Sequence, residues 1–361
     1  MAEFLAGMEL SELFFHELVG PLIDTEFPKL EYAAGLIGSG SEVLGFDTPM
    51  STDHSWGPRF QLFVNPADCD KQQAISEFLG RELPGEFRGY STHFSEIIEG
   101  LTRQRQLAPV EGPVNHRIEI HTIDSFLAGY LGLRNHREMT ASVWLTRSEQ
   151  RLATIRRGKV FHDQIGLNEV RAKLHYYPRD VWLFMLASAW QQLGQEEPFV
   201  GRAGDSGDEL GSRVVAARLV NAAMRLGFLM EQEYAPYSKW FGTAFARLRC
   251  APELAPVLRA ALAAVDWRER EAQLSQAYGI LARMHNQLGI TRNMPTEVSQ
   301  FHDRPFMVIN GEDFATEIVR QITDPEVAKI ACLIGSVNQF SANVDLLENN
   351  ELLSRLEALY M

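Results

Sequence analysis

Cysteine is scarce in this chain of 361 residues: Cys69, Cys250 and Cys332 are the three present, and they lie far apart. With no second Cys near any of them, neither a zinc knuckle nor a disulfide framework is indicated, and each is read as a buried or surface thiol. Long apolar runs are missing too. No stretch approaches the roughly 18 residues of a membrane-spanning helix, and residues 1–15 are acidic where a secretory leader would be basic, so the expectation is a cytoplasmic protein with no membrane partner. Cations are in short supply, with 34 Lys and Arg against 47 Asp and Glu and a net charge of −13. Polyanions are bound through clustered cations, so nucleic acid is not an expected partner.

The imbalance is steepest before Arg59. Ten acids (Glu3, Glu9, Glu12, Glu17, Asp24, Glu26, Glu31, Glu42, Asp47 and Asp53) stand there against one base, Lys29. All but Asp53 read as a solvated helix face. An apolar fraction of 45% is ordinary for a globular chain, and the length suggests two domains.

The two halves are patterned differently. Residues 1–145 alternate strand-length apolar runs (33–37, 60–64 and 117–123) with helical periods (11–23, and one capped by Asp68 running to 82), which predicts a small α/β domain with a short mixed sheet. Residues 146–361 carry long helical periods over 180–193, 208–234, 237–249, 253–265 and 267–288, with Pro and Gly between them, so a helical bundle is predicted there. One short strand is expected at 306–309. The fold class is therefore α+β, an α/β domain followed by an all-α one.

The densest candidate for chemistry is Ile37-Gly38-Ser39-Gly40-Ser41, followed by Ser51-Thr52-Asp53-His54-Ser55-Trp56-Gly57. A strand entering a Gly-Ser turn that opens a helix presents free backbone N–H groups, a suitable cradle for phosphates. After Gly38-Ser39 and thirteen intervening residues comes Asp53, taken as the head of a strand running through Trp56 to Val64. On a regular strand Asp53 and Ser55 share one face and His54 points to the other, a structural position.

This spacing resembles the signature of the nucleotidyltransferase superfamily that includes DNA polymerase β: an apolar residue, Gly-Ser, a short spacer, then two carboxylates separated by one residue. Most of the chain is also similar to an uncharacterised bacterial family of nucleotidyltransferase-like proteins, through the stretches 40–47, 51–59, 176–182, 201–204, 234–241 and 285–286. The resemblance implies that Asp53 and Glu119, the latter on an apolar-flanked later strand, hold Mg²⁺, and that Gly38, Ser39, Gly40 and Ser41 bind the phosphates of ATP or another NTP. It also implies that Lys239, beside Tyr237 at a helix start, meets the triphosphate. Ser55 departs from the signature, because family members carry Asp there; with two formal charges in place of three, one ion is expected rather than two.

Two functions follow. In the first, a nucleoside monophosphate passes from an NTP to a small-molecule acceptor, with Asp53, Ser55 and Glu119 at the reaction centre. In the second, the fold is retained but its chemistry is lost or replaced, leaving ligand binding or a metal-free reaction. Other features read as structural. Tyr237 and Trp240 form a helix cap if Lys239 grips nothing, Asp205 or Asp208 caps the long helix that follows, and His121 shares the face of Glu119.

Overall fold

The computed structural model describes residues 4–96, 104–133 and 139–361; Glu3, one of the ten early acids, lies outside them. The chain divides into two compact units, Met1–Met139 with Arg151–His175, and Thr140–Gln150 with Tyr176–Met361. No helix among the described residues is long and apolar enough to cross a membrane.

The first unit opens with α1 (Gly7–Phe14), a π-helical stretch (Phe15–Val19) and α2 (Gly20–Glu26). Then come β1 (Tyr32–Leu36), β2 (Arg59–Val64), α3 (Gln72–Glu82), a small hairpin of β3 (Glu86–Phe87) and β4 (Tyr90–Ser91), β5 (Arg117–His121) and α4 (Ile123–Leu131). Residues 151–157 of α6 (Glu149–Arg157), with β6 (Lys159–Asp163) and α7 (Leu167–Lys173), complete it, while α5 (Ala141–Thr146) belongs to the second unit. The sheet runs β5-β2-β1-β6, antiparallel except for the parallel β2/β5 pair.

Alternation along the strands divides the sheet into two faces. Tyr32, Ala34 and Leu36, with Phe60, Leu62, Val64 and Ile118, point to a core filled by Leu10, Phe14, Phe15, Val19 and Ile23 of the N-terminal helices and by Ile75 and Leu79 of α3. Each large side chain buried there is worth about 1.5–3 kcal/mol. The opposite face of β2 and β5 carries Arg59, Gln61, Phe63, Arg117, Glu119 and His121, paired in register as Arg59↔Arg117, Gln61↔Glu119 and Phe63↔His121. Helix α4 packs on that second face, Phe126 meeting Phe63 edge-on with ring centroids 5.4 Å apart. A capping box fixes its start: Ser125 N donates to Thr122 Oγ1 at 3.0 Å, and Thr122 N to Ser125 Oγ at 2.9 Å.

The second unit is built on α8 (Arg179–Glu196), α9 (Phe199–Asp205), α10 (Glu209–Met230), α11 (Ser238–Phe245), α12 (Ala251–Ala263), α13 (Trp267–Gln287) and α14 (Gly311–Val319), with β7 (Ser299–Gln300) pairing β8 (Met307–Val308). Helix α8 is buried almost all round, as its lack of a polar face requires. It stacks Trp190 on Phe314 of α14 at 4.1 Å. The α+β class holds, and the helices of this unit fall close to their predicted spans, α10 capped by Asp208, whose Oδ1 accepts from Gly211 N at 2.7 Å.

Several expectations change. Residues 151–175, expected in the helical part, belong to the first unit because β6 pairs with β1. The Gly-Ser turn opens no helix; residues 41–45 form a single turn. Strand β2 starts at Arg59, while Pro49–Asp53 is a 3₁₀ turn. The chain between cannot extend regularly: Ser55 has φ +52°, Gly57 has φ +134°, and Pro58 has no N–H to give a ladder. Asp68 caps no helix but pairs with Lys71 at 2.6 Å, and α3 begins at Gln72. Glu42 and Asp47 do not lie on a solvated helix face. Glu42 is buried against Arg59, and Asp47 Oδ2 accepts from Gly7 N at 2.7 Å and Trp56 Nε1 at 3.0 Å.

Candidate functional site

The polar face of β2 and β5 forms one wall of a cavity of about 370 Å³ in the first unit, lined by Gly38, Ser39, Gly40, His54, Ser55, Arg59, Gln61, Arg117, Glu119, Phe126 and Tyr130 among others. Strand period places its polar groups. Arg59 and Gln61 are two apart on β2, Arg117 and Glu119 two apart on β5, and the parallel register sets each pair side by side.

Arg59 fixes the turn. Its Nε donates to Glu42 Oε1 at 2.8 Å, and its Nη2 donates to the same oxygen and to Ser39 O, both at 2.5 Å. Both side chains are almost wholly buried. Gly40 has φ +144°, and a Cβ there would lie 2.3 Å from Arg59 Nη2, so the turn and the guanidinium share a space that only glycine leaves open. Gln61 joins the other parts: its Oε1 accepts from Ile37 N at 3.1 Å and its Nε2 donates to Glu119 Oε2 at 3.2 Å.

Arg117 differs from Arg59 in being short of partners. Its Nε and Nη1 are buried with no hydrogen-bond acceptor among the described residues. Burial, then the neighbouring Arg59, push its pKa down to about 10 against the pull of Glu119 and Glu42, leaving it charged at neutral pH. Glu119 goes the other way. Burial acts to raise its carboxyl, but the His121 imidazole 3.8 Å away, Arg59, the Gln61 amide and Arg117 together bring it down to about 2. Protein atoms crowd this carboxylate on the cavity wall, yet 43% of its side chain stays accessible. The cavity thus offers an under-neutralised guanidinium, an ionised carboxylate with room for a hydroxyl donor, and the Phe126 and Tyr130 rings, stacked at 17° with centroids 5.5 Å apart.

Of the residues expected at the site, Gly38, Ser39, Gly40, Ser55 and Glu119 meet in this cavity. Ser41 lies in the following turn, where its carbonyl accepts from Phe46 N at 2.9 Å. Asp53 sits on the 3₁₀ turn with 67% of its side chain exposed, its Oδ1 2.9 Å from His54 Nδ1. It does not share a strand face with Ser55. His54, expected to turn away, lines the cavity. Tyr237 and Lys239 belong to the second unit. There Tyr237 N donates to Gln150 Oε1 at 3.1 Å and Lys239 Nζ lies 4.9 Å from the Trp240 ring centre.

The structure does not gather Asp53 and Glu119, the two carboxylates expected to hold one ion, on the cavity wall. Among the described residues Glu119 is the one carboxylate on the open cavity wall, Glu42 is consumed by Arg59, and Asp53 is turned to His54. No three His, Cys, Asp or Glu side chains among the described residues are grouped to hold an ion. A dication beside Glu119 would also share the cavity with two guanidiniums of like charge. Arg59, Gln61, Arg117, Phe126 and Tyr130 were not singled out from sequence, and His54 was read as structural. The signal for Arg59, Gln61 and Arg117 was there in part, since Arg59-x-Gln61 and Arg117-x-Glu119 are polar positions alternating with core residues.

Residues 144–241 match a family described as a domain of unknown function (DUF4037). No curated protein matches the chain in sequence. Among solved structures the chain is similar to a nucleotidyltransferase-like protein from Exiguobacterium sibiricum, at 10% identity and a TM-score of 0.33 over 81% of this chain and 82% of that one.

Proposed function

We propose that this protein keeps a nucleotidyltransferase-like pocket as a metal-independent binding site for a phosphorylated, hydroxyl-bearing small molecule such as a nucleotide or sugar phosphate. The observation that carries the reading is Arg117, a guanidinium on the cavity wall with two buried nitrogens that lack acceptors. A phosphate in the cavity supplies the missing counter-charge, met by the part of the guanidinium that lines the wall rather than by its two buried nitrogens, and a charge-assisted bond of that kind is worth about 1.5–3 kcal/mol. Glu119 accepts from a ligand hydroxyl, as an ionised carboxylate with accessible surface does. Between them, the Gly38–Gly40 turn lets a ligand approach the backbone without a side chain in the way.

A thermal-shift panel of ATP, AMP, ribose 5-phosphate and pyrophosphate, each in EDTA and in Mg²⁺, tests this. Stabilisation by at least one phosphorylated compound in EDTA is expected, since a ligand that binds the native state raises Tm. Stabilisation that appears only with Mg²⁺, or Mg²⁺-dependent release of pyrophosphate from ATP, overturns the reading in favour of nucleotide transfer to a small-molecule acceptor.

A further inference from the structure

Proteins hold a nucleobase by stacking it on an aromatic face and by hydrogen bonds to its edge. On this cavity wall the groups suited to both tasks are engaged by the protein itself. The Tyr130 ring has Phe126 stacked on it and the Arg151 guanidinium over it, 5.6 Å from the centroid, and its hydroxyl is bonded to Thr154 Oγ1 at 2.7 Å. Phe126 in turn has the rings of Phe63 and His121 packed about it, with centroids 5.4 and 5.8 Å away. Both rings abut the Gly-Ser turn, since a Cβ on Gly38 would lie 3.4 Å from Phe126 Cζ and 3.7 Å from Tyr130 Cε2. The stack therefore supports the turn. Gln61, the one amide side chain on the wall among the described residues, is engaged at both ends, its oxygen by Ile37 N and its nitrogen by Glu119. Arg59 is likewise taken by Glu42 and Ser39 O.

The wall leaves a different set for a ligand: the Arg117 guanidinium, the accessible part of Glu119, the hydroxyls of Ser39 and Ser55, and the Gly38–Gly40 backbone. A guanidinium suits a phosphate, while a carboxylate and two hydroxyls suit the hydroxyls of a sugar. We propose that the ligand of this cavity is a sugar phosphate with no base attached: its phosphate meets Arg117, a ring hydroxyl donates to Glu119, and the wall holds no subsite for a nucleobase. The inference rests on the reading of the cavity as a phosphate site and narrows it to one class of phosphate ester. Glu119 makes the sugar a requirement. A ligand that displaces water from this carboxylate without bringing a donor leaves it unmet, so bare phosphate binds more weakly than its sugar ester. The size agrees, since about 370 Å³ lies near the lower end of the roughly 300–1,000 Å³ of small-molecule pockets.

Titration calorimetry of inorganic phosphate, ribose 5-phosphate, AMP and adenosine into the full-length protein in EDTA tests the proposal. Ribose 5-phosphate is AMP with a hydroxyl in place of adenine, so the pair isolates the base. Ribose 5-phosphate is expected to bind about tenfold more tightly than inorganic phosphate, the worth of one hydrogen bond to a charged group. AMP is expected to bind no more than about threefold more tightly than ribose 5-phosphate, and adenosine to give no saturable heat. In Glu119→Ala the advantage of ribose 5-phosphate over inorganic phosphate is expected to disappear; both are compared within the same variant, so a general loss of stability does not mimic that result. AMP binding more than about threefold tighter than ribose 5-phosphate, saturable binding of adenosine, or equal affinities for ribose 5-phosphate and inorganic phosphate in the wild type each overturn the proposal and leave the phosphate site standing. Failure of all three phosphate compounds to bind overturns both readings.

Discussion

A buried guanidinium without an acceptor is a cost to the folded chain, and Arg117 carries that cost on two nitrogens. Leaving a buried donor unmade costs about 1–3 kcal/mol. Arg117→Met, which fills similar volume without the charge, is therefore expected to leave the thermal midpoint of the free protein unchanged or raised. A large fall in Tm would mean that the guanidinium has a partner in the folded protein. Glu42 is the reverse case, since it neutralises Arg59 where both are buried. Glu42→Ala strands that charge, and a loss of about 3–5 kcal/mol in urea denaturation is expected, as for other broken buried pairs. Ser55→Asp supplies the second carboxylate of the nucleotidyltransferase signature, but at φ +52° and off the strand the new carboxylate does not join Asp53 on a common face. No gain of Mg²⁺-dependent nucleotide transfer is expected in an assay of pyrophosphate release.

At the scale of elements, the site is a consequence of strand period. The residues of β2 and β5 that face the helices are apolar, and those between them, Arg59, Gln61, Arg117 and Glu119, are what the other face has to work with. That much was legible: the apolar runs at 60–64 and 117–123 fall within two residues of β2 and β5, and Glu119 was placed on its strand correctly. The path from Asp53 to Arg59 was not, because a carboxylate before an apolar run fits a strand start as well as a turn. What excludes the strand is backbone geometry at Ser55, Gly57 and Pro58, and of the three only the glycine and the proline announce it. Glu42 was misread for a related reason. Charge counting along the chain assigns acids to solvent, and its burial depends on Arg59, a partner 17 residues away that only the turn brings close. Two substitutions probe these elements. Ser55→Gly relieves left-handed strain and is expected to stabilise by roughly 1 kcal/mol, read by denaturant midpoint. Gly40→Ala places a Cβ against Arg59 Nη2 and is expected both to destabilise and to weaken phosphate binding.

For the whole molecule, the helical unit was legible from periodicity, while the return of residues 151–175 to the sheet was not, since β6 is short and lies between helices. The same unit sets the acid response of stability through two buried groups. Burial raises Glu197 to about 7, against the pull of the Gly311 and Ile309 backbone N–H groups, so it holds its proton more tightly folded than unfolded. Its contribution is greatest below its unfolded value of 4.5 and is lost as pH rises through 7. Burial lowers His285, packed edge-on against the stacked Trp190 and Phe314 rings, to about 4. Its contribution is present above 6.5 and lost as pH falls through 4. Each slope amounts to on the order of 3 kcal/mol across its window, and the two oppose each other between 4.5 and 6.5. Urea midpoints of His285→Gln are expected to rise with acidification in that interval, and those of Glu197→Gln to fall.

The central claim is that the cavity binds phosphate through Arg117 without a metal ion. Titration calorimetry of pyrophosphate and AMP into the wild-type protein and Arg117→Met, both in EDTA, tests it most directly. The account predicts saturable binding of at least one probe to the wild type and an affinity roughly 10- to 100-fold weaker in the variant, the loss of one charge-assisted contact. Equal affinities in the two proteins, or binding to the wild type only after Mg²⁺ is restored, would contradict it.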